Sequence, residues 1–191
     1  MRTANEANKE KFLKAAVSEL EEHGIADFSI RRVAKKCGVS CAAPYKHFES
    51  KTDLLAEVMR YIGKKWNDVL TDTVEAHKDE PIRDQLVAIC MAYIAFLCTY
   101  PEYQTILYMS DRVFQPDVLA EKSKVSITTS ELISEYCRLI EIDEETKRRK
   151  VFVVRSLLFG GAIMINSGML PFDGGTMDMI KANIIREFDI A

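Results

Sequence analysis

No uninterrupted apolar run in this chain of 191 residues reaches the roughly 18 residues that a membrane helix needs. The longest candidate, residues 151–170, is broken by Arg155, Ser156, Asn166 and Ser167. The first eleven residues lack the apolar centre of a signal peptide. A cytoplasmic protein with no membrane partner is the expectation. The five cysteines, at 37, 41, 90, 98 and 137, are odd in number and do not read as a disulfide framework. The three histidines, His23, His47 and His77, are scattered without metal-ligand spacing, so no metal and no cofactor is expected. There is no nucleophile elbow, no phosphate loop and no base set beside a nucleophile. Catalytic residues are therefore not expected, and the chain does not read as an enzyme. Strand-like alternation, internal repeats and low-complexity segments are missing too, which leaves an all-α chain.

What is present is an uneven charge. The formal net charge is −3. Residues 1–51 nevertheless carry ten Lys and Arg against seven Asp and Glu, and residues 52–191 carry sixteen against twenty-two. A basic head on an acidic body favours nucleic-acid contact confined to one end.

Helical periodicity supplies the rest of the organisation. A first helix spans about 5–23, with Phe12, Leu13, Ala16, Val17 and Leu20 as its apolar stripe and Gly24 as its stop. Ser29 is placed to cap a short helix whose buried face is Ile30, Val33, Ala34 and Cys37. Gly38 sits where that helix must end in a backbone of positive φ. Ser40 is placed to cap a second short helix with its body over 41–48, and Phe48 returns to the core. Ser50 and Asp53 carry the spacing of a capping box, with Asp in place of Glu or Gln. From 28 to 51 there are six cations, Arg31, Arg32, Lys35, Lys36, Lys46 and Lys51, against the single anion Glu49. Two short capped helices joined by a tight turn, with a positive face, suit the DNA major groove.

These residues carry a resemblance. The run 29–34, the turn 37–40, the segment 44–48 and the helix start 51–55 are similar to the N-terminal DNA-binding domain of the TetR family of bacterial transcriptional regulators. The likeness is close over about residues 9–58. The rest of the chain matches only in length and all-helical pattern. It implies a three-helix helix-turn-helix domain over 1–50, followed by a larger helical ligand-binding and dimerisation domain over 51–191. The N-terminal residues of a second helix face base edges, here Cys41, Ala42, Ala43, Tyr45 and Lys46, with Ser40 before them also counted as DNA-binding. The alanine methyls can touch a thymine methyl, and Lys46 can donate to guanine or phosphate. The resemblance also implies phosphate contacts for Tyr45, His47 and Lys51, and Arg31 and Arg32 are placed to add to them. Ala43-Pro44 stands where the family more often has Gly-Thr or Gly-Ser, so no operator sequence carries over.

The long helix 51–77 joins both parts. Beyond it the chain is rich in aromatics, among them Trp66, Tyr93, Phe96, Tyr100, Tyr103, Tyr108, Phe114, Phe152 and Phe159. As a set they suit an apolar cavity with polar tips, and Tyr93, Phe96, Tyr100, Tyr103 and Phe159 are its expected lining. The resemblance implies a small-molecule effector there, and a homodimer formed by the last two major helices. Gly160, Gly161, Met177, Ile180 and Ile184 are the expected interface. The function implied is a ligand-released repressor that binds a near-palindromic double-stranded DNA operator. The alternative is a DNA-binding regulator switched by thiol oxidation at Cys41.

Overall fold

The computed structural model describes residues 4–108, 115–124 and 127–189. Met109, Phe114, the side chain of Tyr108 and most of the loop at 111–116 lie outside the described residues. Among those described there are only helices, turns and bends: α1 (Ala4–His23), α2 (Ile30–Lys36), a 3₁₀ turn (Pro44–Lys46), α3 (Lys51–His77), α4 (Ile82–Thr99), α5 (Pro101–Tyr108), α6 (Pro116–Lys124), α7 (Ile127–Leu139), α8 (Glu144–Asn166) and α9 (Gly174–Asp189). The chain gathers into two compact units that divide α3 after Lys65. One holds α1, α2, the 3₁₀ turn, the first half of α3, α5 and α6; the other holds the rest of α3 with α4, α7, α8 and α9.

In the first unit, Phe12, Leu13, Ala16, Val17 and Leu20 of α1 are buried, as are Ile30, Val33 and Ala34 of α2 and Leu54, Leu55, Val58, Met59 and Ile62 of α3. Electrostatics add a second tie between α1 and α2. Glu19 is fully buried, and its carboxylate accepts from the Arg32 guanidinium at 2.5 Å. Arg32 also donates to the Asp27 carbonyl. One turn on, Lys36 pairs with Glu22 at 2.5 Å and holds that carboxyl below its usual range. Lys11 donates to the Cys37 carbonyl at 2.9 Å, satisfying an end of α2 that has no intrahelical partner. Tyr61 and Tyr103 stack edge to face 6.4 Å apart, and Arg60 reaches Glu57 at 2.8 Å and Glu121 at 3.3 Å.

In the second unit α4 is the central element, packed by α7, α8 and α9. By length and composition it is apolar enough to cross a membrane. Its apolar residues serve the protein interior instead: Leu86, Val87, Ile89, Cys90, Ile94, Phe96 and Leu97 are all buried. Burial pushes the Cys90 thiol up to about 12. Asp143 caps α8 by accepting from the Thr146 N–H at 2.7 Å. The last turn of α9 is held from three sides. Lys150 donates to the Glu187 carbonyl at 2.7 Å, Tyr136 donates to the Phe188 carbonyl at 3.2 Å, and Arg83 pairs with Asp189 at 2.6 Å.

Arg31 and Arg32 are neighbours in sequence with different duties, which yields a test. Arg32→Ala strands a buried carboxylate and is expected to cost about 2 kcal/mol of stability, read as a lower urea midpoint. Arg31→Ala, on the exposed face, is expected to stay within about 0.5 kcal/mol. Equal losses would show that the Glu19–Arg32 pair does not join the two helices.

Candidate nucleic-acid interface

The second half of the helix-turn-helix region departs from the sequence expectation. No α-helix forms over 41–48. Ala43 N–H closes a turn on the Ser40 carbonyl at 3.0 Å, and one 3₁₀ turn, Pro44–Lys46, follows. Pro44 is the physical reason. It has no N–H with which to close an α-helical turn back onto Ser40. The N-cap position of the 3₁₀ turn belongs to Ala43, not Ser40, and has no side-chain cap bond. Ser29 holds the N-cap position of α2, again without a side-chain bond.

The joints on either side are well made. Gly38 has φ +70°. Its N–H reaches the Lys35 carbonyl at 3.0 Å and the Val39 N–H reaches the Ala34 carbonyl at 3.1 Å, the two bonds of a Schellman stop. On the other side, the Asp53 N–H donates to the Ser50 hydroxyl at 3.0 Å. The Asp53 carboxylate accepts from the Glu49 N–H at 2.9 Å, one residue before the reciprocal partner of an ideal capping box. Between these joints Pro44 and Phe48 are buried, and Phe48 meets Phe12 edge to face at 6.2 Å.

The expected DNA-facing residues fall into three sets. Arg31, Ser40, Cys41, Ala42, Tyr45 and Lys46 are exposed, with Tyr45 57% exposed. Ala43 and His47 are half-buried, and the His47 ring packs on Phe12 at 5.5 Å. Arg32 and Lys51 are engaged within the protein. Arg32 pairs with Glu19. Lys51 donates to the Ile25 carbonyl at 3.2 Å and lies over the Phe28 ring at 5.6 Å. Lys35 and Val39 are exposed members of this surface that sequence reading did not assign. The signal for Lys35 was its spacing. It stands one turn from Arg31, whereas Arg32 and Lys36 match Glu19 and Glu22 of α1. Arg31, Lys35 and Lys46 have no acidic partner among the described residues.

Glu19, Glu22 and His23 converge closely enough to hold a cation, but Arg32 and Lys36 already pair with the two carboxylates. Cys37 is buried, and burial pushes its thiol up. Cys41, exposed, therefore has no reactive neighbour in Cys37, and the thiol-switch alternative is set aside.

Of the residues expected around a ligand, Tyr93, Phe96, Tyr100 and Phe159 lie in the second unit and Tyr103 in the first. Tyr93, Trp66, Phe96 and Tyr100, in that order, form a chain of rings in the second unit, with centroids 4.9, 5.6 and 5.3 Å apart. Burial pushes the Tyr93 hydroxyl up to about 12, with Arg155 opposing. Trp66 and Phe96 are closely packed, at 2% and 4% exposure. Phe159 shares a stripe of α8 with Phe152 and Ile163, which are exposed. A cleft of about 770 Å³ opens in the second unit. Val69, Thr73 and Ala76 of α3, Val87, Ala88, Met91 and Ala92 of α4 and Ile185 of α9 give it an apolar floor, with Asp72, His77, Glu80, Asp84 and Lys181 at its edge.

The expected dimer interface is corrected in the same way. Ile180 and Ile184 are buried within the chain. Gly161, half-buried, faces inward, since a Cβ there would come 3.0 Å from both Ile94 and Ile180. The face of α9 at 176, 180, 184 and 187 is the inner one. Met177 is half-buried, and a Cβ at Gly160 would meet nothing within 4 Å. The apolar residues turned outward are Phe152, Ile163 and Met164 of α8 and Met179 of α9.

Comparison with known proteins agrees with this geometry. Residues 12–58 match the model of the bacterial regulatory proteins of the tetR family. A Mycobacterium tuberculosis HTH-type transcriptional regulator is 28% identical over 113 residues, which are 57% of this chain and 47% of that protein. The chain thus spans about half the length of that relative. A probable acrEF/envCD operon repressor of Escherichia coli is 25% identical over 146 residues, 72% of this chain and 66% of its own. Among solved structures, a TetR family transcription regulator from Marinobacter aquaeolei superposes with a TM-score of 0.80 at 16% identity, covering 98% of both chains. FadR from Bacillus subtilis, solved in complex with stearoyl-CoA, superposes with a TM-score of 0.68 at 16% identity, covering 94% of this chain and 96% of its own.

The unpartnered cations can be separated from the engaged ones by salt. Arg31→Ala and Lys46→Ala are each expected to lower the slope of log affinity against log salt by about 0.9 on duplex DNA, with folding unchanged. An unchanged slope for both would remove this face from the phosphate contacts.

Proposed function

Because the chain belongs to the TetR family of bacterial regulatory proteins, we propose that it is a transcriptional repressor. It binds a near-palindromic operator as a homodimer and is released by a small amphipathic effector. The observation that carries the reading is the exposed surface of the helix-turn-helix head. Arg31, Lys35 and Lys46, without acidic partners among the described residues, are exposed, as are Ser40, Cys41, Ala42 and Tyr45. Cations of this kind fix register on phosphates, and the residues between them face base edges. The Escherichia coli relative's description as a probable operon repressor supports the sign of regulation, and a regulator working on bacterial DNA works in the cytoplasm. Footprinting tests it: two major grooves, one or two helical turns apart, become protected. A single protected half-site at saturation would count against the dimer.

The effector site we assign is the cleft against the last turns of α3. A ligand there touches Val69, Thr73 and Ala76 of the same continuous helix that begins, at Lys51, in the DNA-binding head. The apolar floor and charged edge suit an amphipathic molecule; the stearoyl-CoA bound to the Bacillus subtilis structure is a ligand of that general character. A ligand shifts an equilibrium only by its preference for one state, so linkage requires operator DNA to weaken effector binding by the same factor. Ala92→Phe, which fills the floor, is expected to abolish the effector response while leaving operator affinity within about twofold. An unaltered response would place the effector elsewhere.

For the dimer we propose the outward faces of α8 and α9. Phe152→Glu with Ile163→Glu is expected to give a folded monomer in sedimentation, because each charge would otherwise be desolvated in the seam. Ile180→Glu, by contrast, is expected to unfold the protomer. A folded, fully dimeric Phe152/Ile163 double variant would exclude this face.

A further inference from the structure

The recognition segment is poor in the groups that read DNA by hydrogen bonding. Residues 39–47 run Val-Ser-Cys-Ala-Ala-Pro-Tyr-Lys-His, with no Arg, Asn, Gln, Asp or Glu. Bidentate readout pairs Arg or Lys with guanine, Asn or Gln with adenine, and Asp or Glu with cytosine. Only Lys46 remains for any of these. What the segment does expose is apolar. Val39 is 42% exposed although it follows a Schellman stop, where an apolar side chain often folds back onto the helix. Cys41 and Ala42 are exposed on the turn that precedes the 3₁₀ turn, and the Tyr45 ring follows at 57% exposure. The half-buried His47 ring is turned onto Phe12. An apolar strip normally avoids water, yet this one is flanked by Arg31, Lys35 and Lys46. That pairing suits a surface apolar in places and anionic around them. In the major groove the apolar group is the C5-methyl of thymine, and the phosphates supply the charge.

We propose that this protein discriminates its operator chiefly through thymine methyl groups, read by Val39, Cys41, Ala42 and the Tyr45 ring, and not through bidentate hydrogen bonds to guanine or adenine. The inference rests on the DNA-binding reading above and adds the chemical class of the sequence recognised. Each half-site then holds a cluster of thymines on the major-groove side. Lys46 contributes a point charge, whose loss weakens all sequences alike.

The experiment starts from the full-length protein and a duplex enriched from a random pool. Each thymidine of the enriched half-site is replaced in turn by deoxyuridine, which differs only by the missing methyl, and affinity is measured at fixed salt. Burial of one methyl group sets the expected size, about a fourfold loss at each contacted position. 5-Bromodeoxyuridine, which restores a group of similar bulk, is expected to recover most of the loss. Replacing guanine by 7-deazaguanine, which removes the N7 acceptor, is expected to change affinity by less than twofold. Ala42→Gly is then expected to bring the thymine-to-uracil ratio close to one at a single position. Cys41→Ser, which keeps the size but adds polarity, is expected to do so at another position. Uracil tolerated at every position, or a larger loss with 7-deazaguanine than with uracil, would overturn the methyl reading and leave DNA binding intact. Failure to enrich any duplex would overturn the DNA-binding reading, and the methyl reading with it.

Discussion

A single helical turn cannot hold itself in water, because fixing the first hydrogen-bonded turn costs more than it returns. The recognition segment consists of little more than such a turn. Its placement therefore depends on the burial of Phe48 against Phe12 and of Pro44 beside it. Everything around the segment serves that constraint. The Schellman stop at Gly38 sets the angle at which the chain leaves α2, and the Ser50–Asp53 cap fixes where α3 begins. The Glu19–Arg32 pair keeps α1, the helix that carries Phe12, against α2. The exposed surface is rigid only insofar as these contacts beneath it are.

Much of the head could be read from the sequence because its signals are local. Gly24 and Gly38 both have the positive φ that their positions at helix ends suggested. Ser50 and Asp53 cap α3 by spacing alone. The apolar stripe of α1 is buried residue for residue. What escaped was the conformation of 41–48, where periodicity suggested a helix but the missing N–H of Pro44 decided otherwise. The division of labour between Arg31 and Arg32 also escaped. It depends on which acids of α1 lie opposite, 13 residues back for Arg32, and a run of cations does not record that.

The second unit was less legible for a related reason. A helix with apolar residues on more than one side has two apolar faces. Composition cannot say which is which. Ile180 and Ile184 of α9 belong to the inner face, while Phe152 and Ile163 of α8 belong to the outer. Gly161, expected at the interface, is a place of close approach. The neighbours that make it so, Ile94 and Ile180, lie within the same chain. Rings such as Trp66 and Phe96 fill space, whereas the cleft exists where α4 presents the small side chains of Ala88 and Ala92.

The separation between buried anchors and outward residues in the recognition segment bears on how such a protein diversifies. Most substitutions are constrained by the small stability margin of a domain. Val39, Cys41, Ala42 and Tyr45 are exposed, and changes at positions of this kind commonly leave stability nearly untouched. Such outward positions can therefore change by single steps after a gene duplicates, without a compensating change in the core. The anchors Pro44 and Phe48 have no such freedom. Among descendants of one ancestral sequence, variation is accordingly expected to concentrate at the four outward positions and to spare the two beneath them.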